Sequence, residues 1–173
     1  MVIESPVVEK YWFALYTKPR HEFKVAAKLR SVSIEFYLPS IIVTKKWSDR
    51  RKKIEVPLFN GYIFIHSSEK DRLLAVRQEG VVKTITFLGK PSIIPDDQIA
   101  NLRRMLSETP DVFVSDKIEI GTQIKIVGGP FEGVVGIVKE ADSENWLFVN
   151  IDILNRAVSV KLPRESVIKI VNK

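Results

Sequence analysis

At 173 residues the chain has room for one domain or two small ones, and Lys and Arg outnumber Asp and Glu by 27 to 21. The imbalance is uneven: residues 1–112 hold 19 cations against 13 anions, whereas residues 113–173 hold 8 of each, so the net charge of +6 belongs to the first part and favours a polyanionic partner there. The absence of cysteine excludes a disulfide framework and a Cys-based zinc site, no apolar run reaches the roughly 18 residues of a membrane span, and residues 1–10 lack an apolar signal core, so a soluble cytoplasmic protein is expected.

Taken in order, Tyr11-Trp12-Phe13-Ala14-Leu15-Tyr16 reads as a buried strand, closed by Thr17-Lys18-Pro19, with the proline placed to open a helix. That helix carries Val25, Leu29 and Val32 at helical spacing. Its other face repeats Arg20, Lys24 and Lys28 every fourth residue, which reads either as a solvated basic face or as a surface lying along nucleic acid or an acidic protein. Residues 35–43 predict a second strand, interrupted at Pro39. The segment Thr44 to Lys53 is polar, with Ser48-Asp49 at its middle, and predicts a protruding hairpin. It holds Lys45, Lys46, Arg50, Arg51, Lys52 and Lys53 around Trp47, a composition suited to phosphate contact and to stacking on a base or sugar, or simply to solvation.

Val56 to Ile65 then reads as one continuous central strand, on which Phe59 and Tyr62, three apart across Asn60-Gly61, leave an aromatic pair partly uncovered as a docking surface. Ser68-Glu69-Lys70-Asp71 starts a short helix that ends near Gly80, with Leu73 and Val76 inward and Arg72 and Arg77 outward. A strand over 81–88, a turn at Gly89-Lys90-Pro91 and a short pairing segment at Ile93-Ile94 precede a third helix from Pro95-Asp96-Asp97, with Ile99, Leu102 and Leu106 on one face. The alternation predicts an α+β layer, a mostly antiparallel four-stranded sheet flanked by helices, over residues 1–110. Residues 111–120 read as a linker. From 121 to 173 short strands recur at 123–127, 133–140, 146–151, 157–162 and 167–171, which predicts a small barrel.

Catalytic signals are weak. The loop Gly128-Gly129-Pro130-Phe131-Glu132-Gly133 lacks a Gly-Lys-Ser/Thr ending and opens onto a β run, so it reads as a turn and not a phosphate cradle. His21 and His66 have no metal partner at ligand spacing, and Asp96-Asp97 caps a helix. No enzyme activity, cofactor or metal is expected.

The stretches Trp12 to Glu22, Pro57 to Ile65 and Gly80-Val81-Val82 closely resemble the N-terminal (NGN) domain of NusG-type transcription elongation factors. Gly121 to Gly136 resembles a KOW motif, and Asn155 to Leu162 the loop and strand after it, so the likeness covers residues 11–171 in family order. The resemblance implies an NGN domain joined to an SH3-like KOW β-barrel, acting as a monomer on RNA polymerase. In such factors an apolar depression docks on the clamp helices of the largest polymerase subunit and favours processive transcription; Trp12, Tyr16, Phe59 and Tyr62 match positions at or beside it. Family members also approach upstream or non-template DNA, which implies that role by charge and location for the six hairpin cations and for Arg72 and Arg77. Leu154, Asn155 and Arg156 match the loop that contacts a termination factor or a ribosomal protein. Here Asn60 stands for the usual proline, Leu154 for a common aromatic and Asn155 for glycine. Together with the basic hairpin, these departures resemble an antitermination paralogue recruited to particular operons such as surface-polysaccharide clusters. The alternative is a KOW-containing RNA-binding or ribosome-associated module.

Overall fold

The computed structural model describes residues 8–171; residues 1–7, most of the stretch read as lacking a signal core, and 172–173 lie outside them. In chain order the first elements are β1 (Tyr11–Thr17), α1 (Glu22–Ser31), β2 (Glu35–Tyr37), β3 (Ser40–Lys46), β4 (Arg51–Pro57), β5 (Tyr62–Ser67), α2 (Glu69–Val76) and β6 (Val81–Thr84). There follow β7 (Thr86–Phe87), β8 (Lys90–Pro91), β9 (Ile93–Ile94), α3 (Asp96–Glu108), β10 (Phe113–Asp116), β11 (Thr122–Gly128), β12 (Val135–Ala141), β13 (Glu144–Ile151), β14 (Arg156–Lys161) and β15 (Val167–Ile170). This is the expected α+β class, and no helix among the described residues is long and apolar enough to cross a membrane. Contacts divide the chain into two units, residues 1–38 with 59–93 and residues 39–58 with 94–173.

In the first unit the strands run β2-β5-β1-β6 with antiparallel neighbours, so β1 and β5 are central. Alternation sends Phe13 and Leu15 of β1 and Ile63 and Ile65 of β5 to one face, where they pack with Val25, Ala26 and Leu29 of α1 and Ala75 of α2. Each fully buried Leu or Ile contributes about 1.5–3 kcal/mol, which makes this layer the rigid base of the unit.

Three local expectations change. The apolar run Val56 to Ile65 is not one strand: Val56 and Pro57 end β4, and the chain turns through Leu58–Gly61 before β5 begins. Gly61 has φ +81°, a left-handed conformation that breaks an extended chain whatever the hydrophobicity around it. Pro19 does not open α1, because Arg20 follows at φ +62° and the helix starts at Glu22. On α2, Val76 packs on the core and Arg77 is exposed as expected, but Leu73 is about half exposed and Arg72 is buried in its stead.

In the second unit β3 and β4 form a two-stranded ribbon, in register from Ser40↔Pro57 to Lys46↔Arg51. The rest is a six-stranded antiparallel sheet, β10-β14-β13-β12-β11-β15, with α3 beside it. The sheet's core comprises Ile124, Ile126, Leu147, Val149, Ile151, Val158 and Val160. The segment read as linker contains β10, which pairs with β14 along Phe113↔Ser159 to Asp116↔Arg156, and Phe113 meets Trp146 edge-on at 5.5 Å between ring centroids. Polar contacts hold α3 to this sheet: the Asn101 amide donates to the Val135 carbonyl at 3.0 Å and accepts the Val135 N–H at 3.1 Å, and Gln98 donates to the Asp152 carboxylate at 2.6 Å.

Candidate functional site

The side of the central strands away from α1 and α2 is aromatic. Register places Trp12 opposite His66, Ala14 opposite Phe64 and Tyr16 opposite Tyr62, and alternation puts all six on that one side. Trp12 stacks on His66 at 5.0 Å, Phe64 meets Phe59 edge-on at 6.1 Å and stacks with Tyr37 at 6.4 Å, and Tyr16 and Tyr62 tilt together at 5.4 Å. Trp12 and Phe59 are buried, with 6% and 4% of their surface exposed, whereas Tyr16 and Tyr62 remain partly open. The uncovered pair is therefore Tyr16 with Tyr62, and Phe59 is buried against Phe64. A groove of about 910 Å³ lined by Tyr11, Phe13, Ser68, Asp71 and Pro91 includes none of the four predicted docking residues.

The turn that presents Tyr62 is held from three directions. The Phe59 carbonyl accepts the Tyr62 N–H at 3.2 Å, the Gly61 carbonyl accepts the Thr17 N–H at 2.8 Å, and the buried Glu22 carboxylate accepts the Gly61 N–H at 2.7 Å. A Cβ on Gly61 would come within 3.0 Å of the Tyr16 ring, so the missing side chain makes room for that ring. Glu22, Tyr37, Phe64 and His66 belong to this arrangement and were not among the predicted site residues. The alternation Tyr62-Ile63-Phe64-Ile65-His66 carried the signal for two of them; nothing local marks Glu22, whose partner lies 39 residues on.

The six hairpin cations are all exposed, and none forms an ion pair among the described residues. Lys45 faces Lys52 and Lys46 faces Arg51 directly across the ribbon, an arrangement that repels without an intervening anion. Arg77, just after α2, is exposed. Arg72 is a correction. Its guanidinium is buried, donates to Thr84 at 2.8 Å and to Glu69, and lies 5.8 Å from the Phe13 ring centroid, so it braces α2 on β6 and offers nothing to a phosphate. These hydrogen bonds hold the Glu69 carboxyl below the usual carboxylate range and push the Arg72 guanidinium up.

In the second unit Leu154 ends a single 3-10 turn and is half-buried, Asn155 adopts φ 51° and ψ 41°, and exposed Arg156 pairs with Asp116. Asparagine is the non-glycine residue that best tolerates this left-handed conformation, so its presence leaves the turn intact. The loop is fastened to β10: the Asn155 carbonyl accepts the Lys117 N–H at 3.2 Å and the Lys117 amine reaches Asp152 at 2.8 Å, a contact that raises the Lys117 pKa. Among the described residues no group of three or more His, Cys, Asp or Glu side chains is placed to hold a metal ion.

A family model described as "NusG: Transcription termination factor nusG" matches residues 10–103. The transcription termination/antitermination protein NusG of Buchnera aphidicola subsp. Acyrthosiphon pisum is 29% identical over 171 residues, covering 89% of this chain and 93% of its own. The Haemophilus influenzae protein of the same name is 26% identical and covers 98% of this chain and 100% of its own. A solved structure titled "Domain interaction in Thermotoga maritima NusG" shares 24% identity over 89% of this chain and 93% of that one, with a TM-score of 0.45. The family match takes in β1 with Trp12 and Tyr16, the Glu22 brace, and the turn with Phe59 and Tyr62, and on it the chain belongs to the NusG family.

Proposed function

We propose that this chain is a transcription elongation and antitermination factor that docks on the clamp helices of the largest RNA polymerase subunit and promotes processive transcription of particular operons. The observation that carries the reading is the partly open Tyr16–Tyr62 pair, on the same side of the sheet as buried Trp12 and beside a turn held by Gly61 and Glu22. Two amphipathic rings on paired strands beside a fixed turn suit a helical partner, because little side-chain entropy remains to be lost on docking. Residues 1–110 serve as the polymerase-binding NGN domain and 121–173 as a KOW domain whose Leu154–Arg156 loop meets a ribosomal protein or a termination factor; 111–120 joins them. The hairpin cations and Arg77 contact upstream or non-template DNA.

Replacing Tyr62 with Ala is expected to weaken binding to isolated clamp helices by roughly 30-fold, about 2 kcal/mol, while the unfolding midpoint stays near that of the parent chain. Unchanged affinity would overturn the docking assignment. The reading as an RNA-binding KOW module has less support, since residues 113–173 carry 8 cations and 8 anions and a phosphate backbone is bound chiefly by net positive charge.

A further inference from the structure

The three tryptophans have different surroundings. Trp12 is buried on the aromatic face and Trp146 is half-buried against Phe113, but Trp47 is 58% exposed at the tip of the β3–β4 ribbon. Its backbone N–H donates to the Arg50 carbonyl at 2.8 Å, closing a tight turn around Ser48 and Asp49, so the indole sits on an ordered support. More than half of the indole is thus left uncovered by the ribbon.

Register then sorts the tip by side. Side chains alternate along a strand, so Lys45 and Lys52 share one face, and the same alternation carried one residue past the paired strands, where the Trp47 N–H meets the Arg50 carbonyl, puts Trp47 and Arg50 on it as well. The reverse face takes Lys46, Arg51 and Lys53 and has no ring. One side therefore combines an open aromatic surface with three cations, and the other has cations alone.

We propose that the face carrying Lys45, Trp47, Arg50 and Lys52 is a platform for single-stranded nucleic acid, with one unpaired base stacked on the indole and the neighbouring phosphates held by the three cations. The inference rests on the reading of the hairpin as a nucleic-acid contact and narrows it: a base inside a duplex has no free face to offer Trp47, whereas a single strand offers one at every nucleotide. Stacking is indifferent to sequence, so the platform binds any unpaired strand, and the cations make its affinity fall steeply with salt.

The test is titration of the full chain against labelled oligo(dT), oligo(rU) and a blunt DNA duplex at two salt concentrations, the first two separating DNA from RNA as the strand held. Trp47→Ala is expected to weaken single-strand binding by roughly 5- to 100-fold and leave duplex binding within about twofold, with Trp47→Phe restoring most of the loss. A combined Lys45→Gln, Arg50→Gln and Lys52→Gln variant is expected to flatten the salt dependence on both kinds of probe. If Trp47→Ala leaves single-strand binding unchanged, or weakens single strand and duplex equally, while the charge variant still reduces both, the platform is refuted and the broader nucleic-acid role stands. If the parent chain binds none of the probes at low salt, both fall.

Discussion

Glu22 and Arg72 are buried charged residues that serve structure, and each controls a neighbour with a different job. Glu22 sits 4% exposed with its carboxylate on the Gly61 N–H, so Glu22→Ala leaves a buried donor unpaired at the turn that presents Tyr62. The expected cost is about 1–3 kcal/mol in denaturant unfolding, with faster amide exchange at Gly61; protection equal to the parent chain would show that the turn does not need this brace. Arg72 makes the Glu69 carboxylate easier to keep ionised in the folded state than in the unfolded chain. A depressed carboxyl contributes stability above its ordinary titration range and loses that contribution as pH falls through the lowered value. Glu69→Gln should therefore lower the urea midpoint near pH 7 and do so progressively less as the pH is brought below the ordinary carboxylate range, the effect being small because Glu69 is largely exposed. A gap that keeps its size as the pH falls would contradict the assignment.

Among the elements, α3 shows how polar side chains can fasten a helix whose apolar stripe is narrow. Ile99, Leu102 and Met105 are buried, where the sequence pattern pointed to Leu106 as the third member of the stripe. Beside them Asn101 satisfies both the N–H and the C=O of Val135, as a neighbouring strand would. Asn101→Ala removes both bonds at once, and amide exchange at Val135 is expected to accelerate at least several-fold, corresponding to about 1–2 kcal/mol. Unaltered exchange would mean that the apolar contacts alone hold the helix. The elements also mark what could be read in advance. β1 and the strand core of β5 were legible because their apolar runs are nearly continuous, as in strands buried on both faces, and α2 was legible from its Ser68 cap. The inward turn of Arg72 was not, since its partners Thr84 and Phe13 lie on other elements and a cation at helical spacing reads as solvent-facing. The break at Leu58–Gly61 was masked because hydrophobicity continues across it and only the backbone of Gly61 reverses the chain. β10 is four exposed residues of mixed polarity, and only its partner strand, from Arg156 onward, makes it a strand.

Across the molecule, the division of charge between the two parts of the chain carries over to the kinds of surface described. The aromatic face and the basic ribbon both fall within the first 112 residues, and the six-stranded sheet with its charge-balanced loops falls almost wholly after them. An open aromatic pair was expected of Phe59 and Tyr62; Tyr16 takes the place of Phe59 as the open partner, because exposure depends on which way the turn faces and not on residue type. The pairing of β10 with β14 has a mechanical consequence. Between the last residue of α3, Glu108, and the first of β10, Phe113, only residues 109–112 are free of regular structure, a leash of roughly 17 Å when fully drawn out. Peeling β10 away would lengthen that leash by its own four residues, about 14 Å more, so how far α3 can travel from the sheet is set by whether one short edge strand stays zipped.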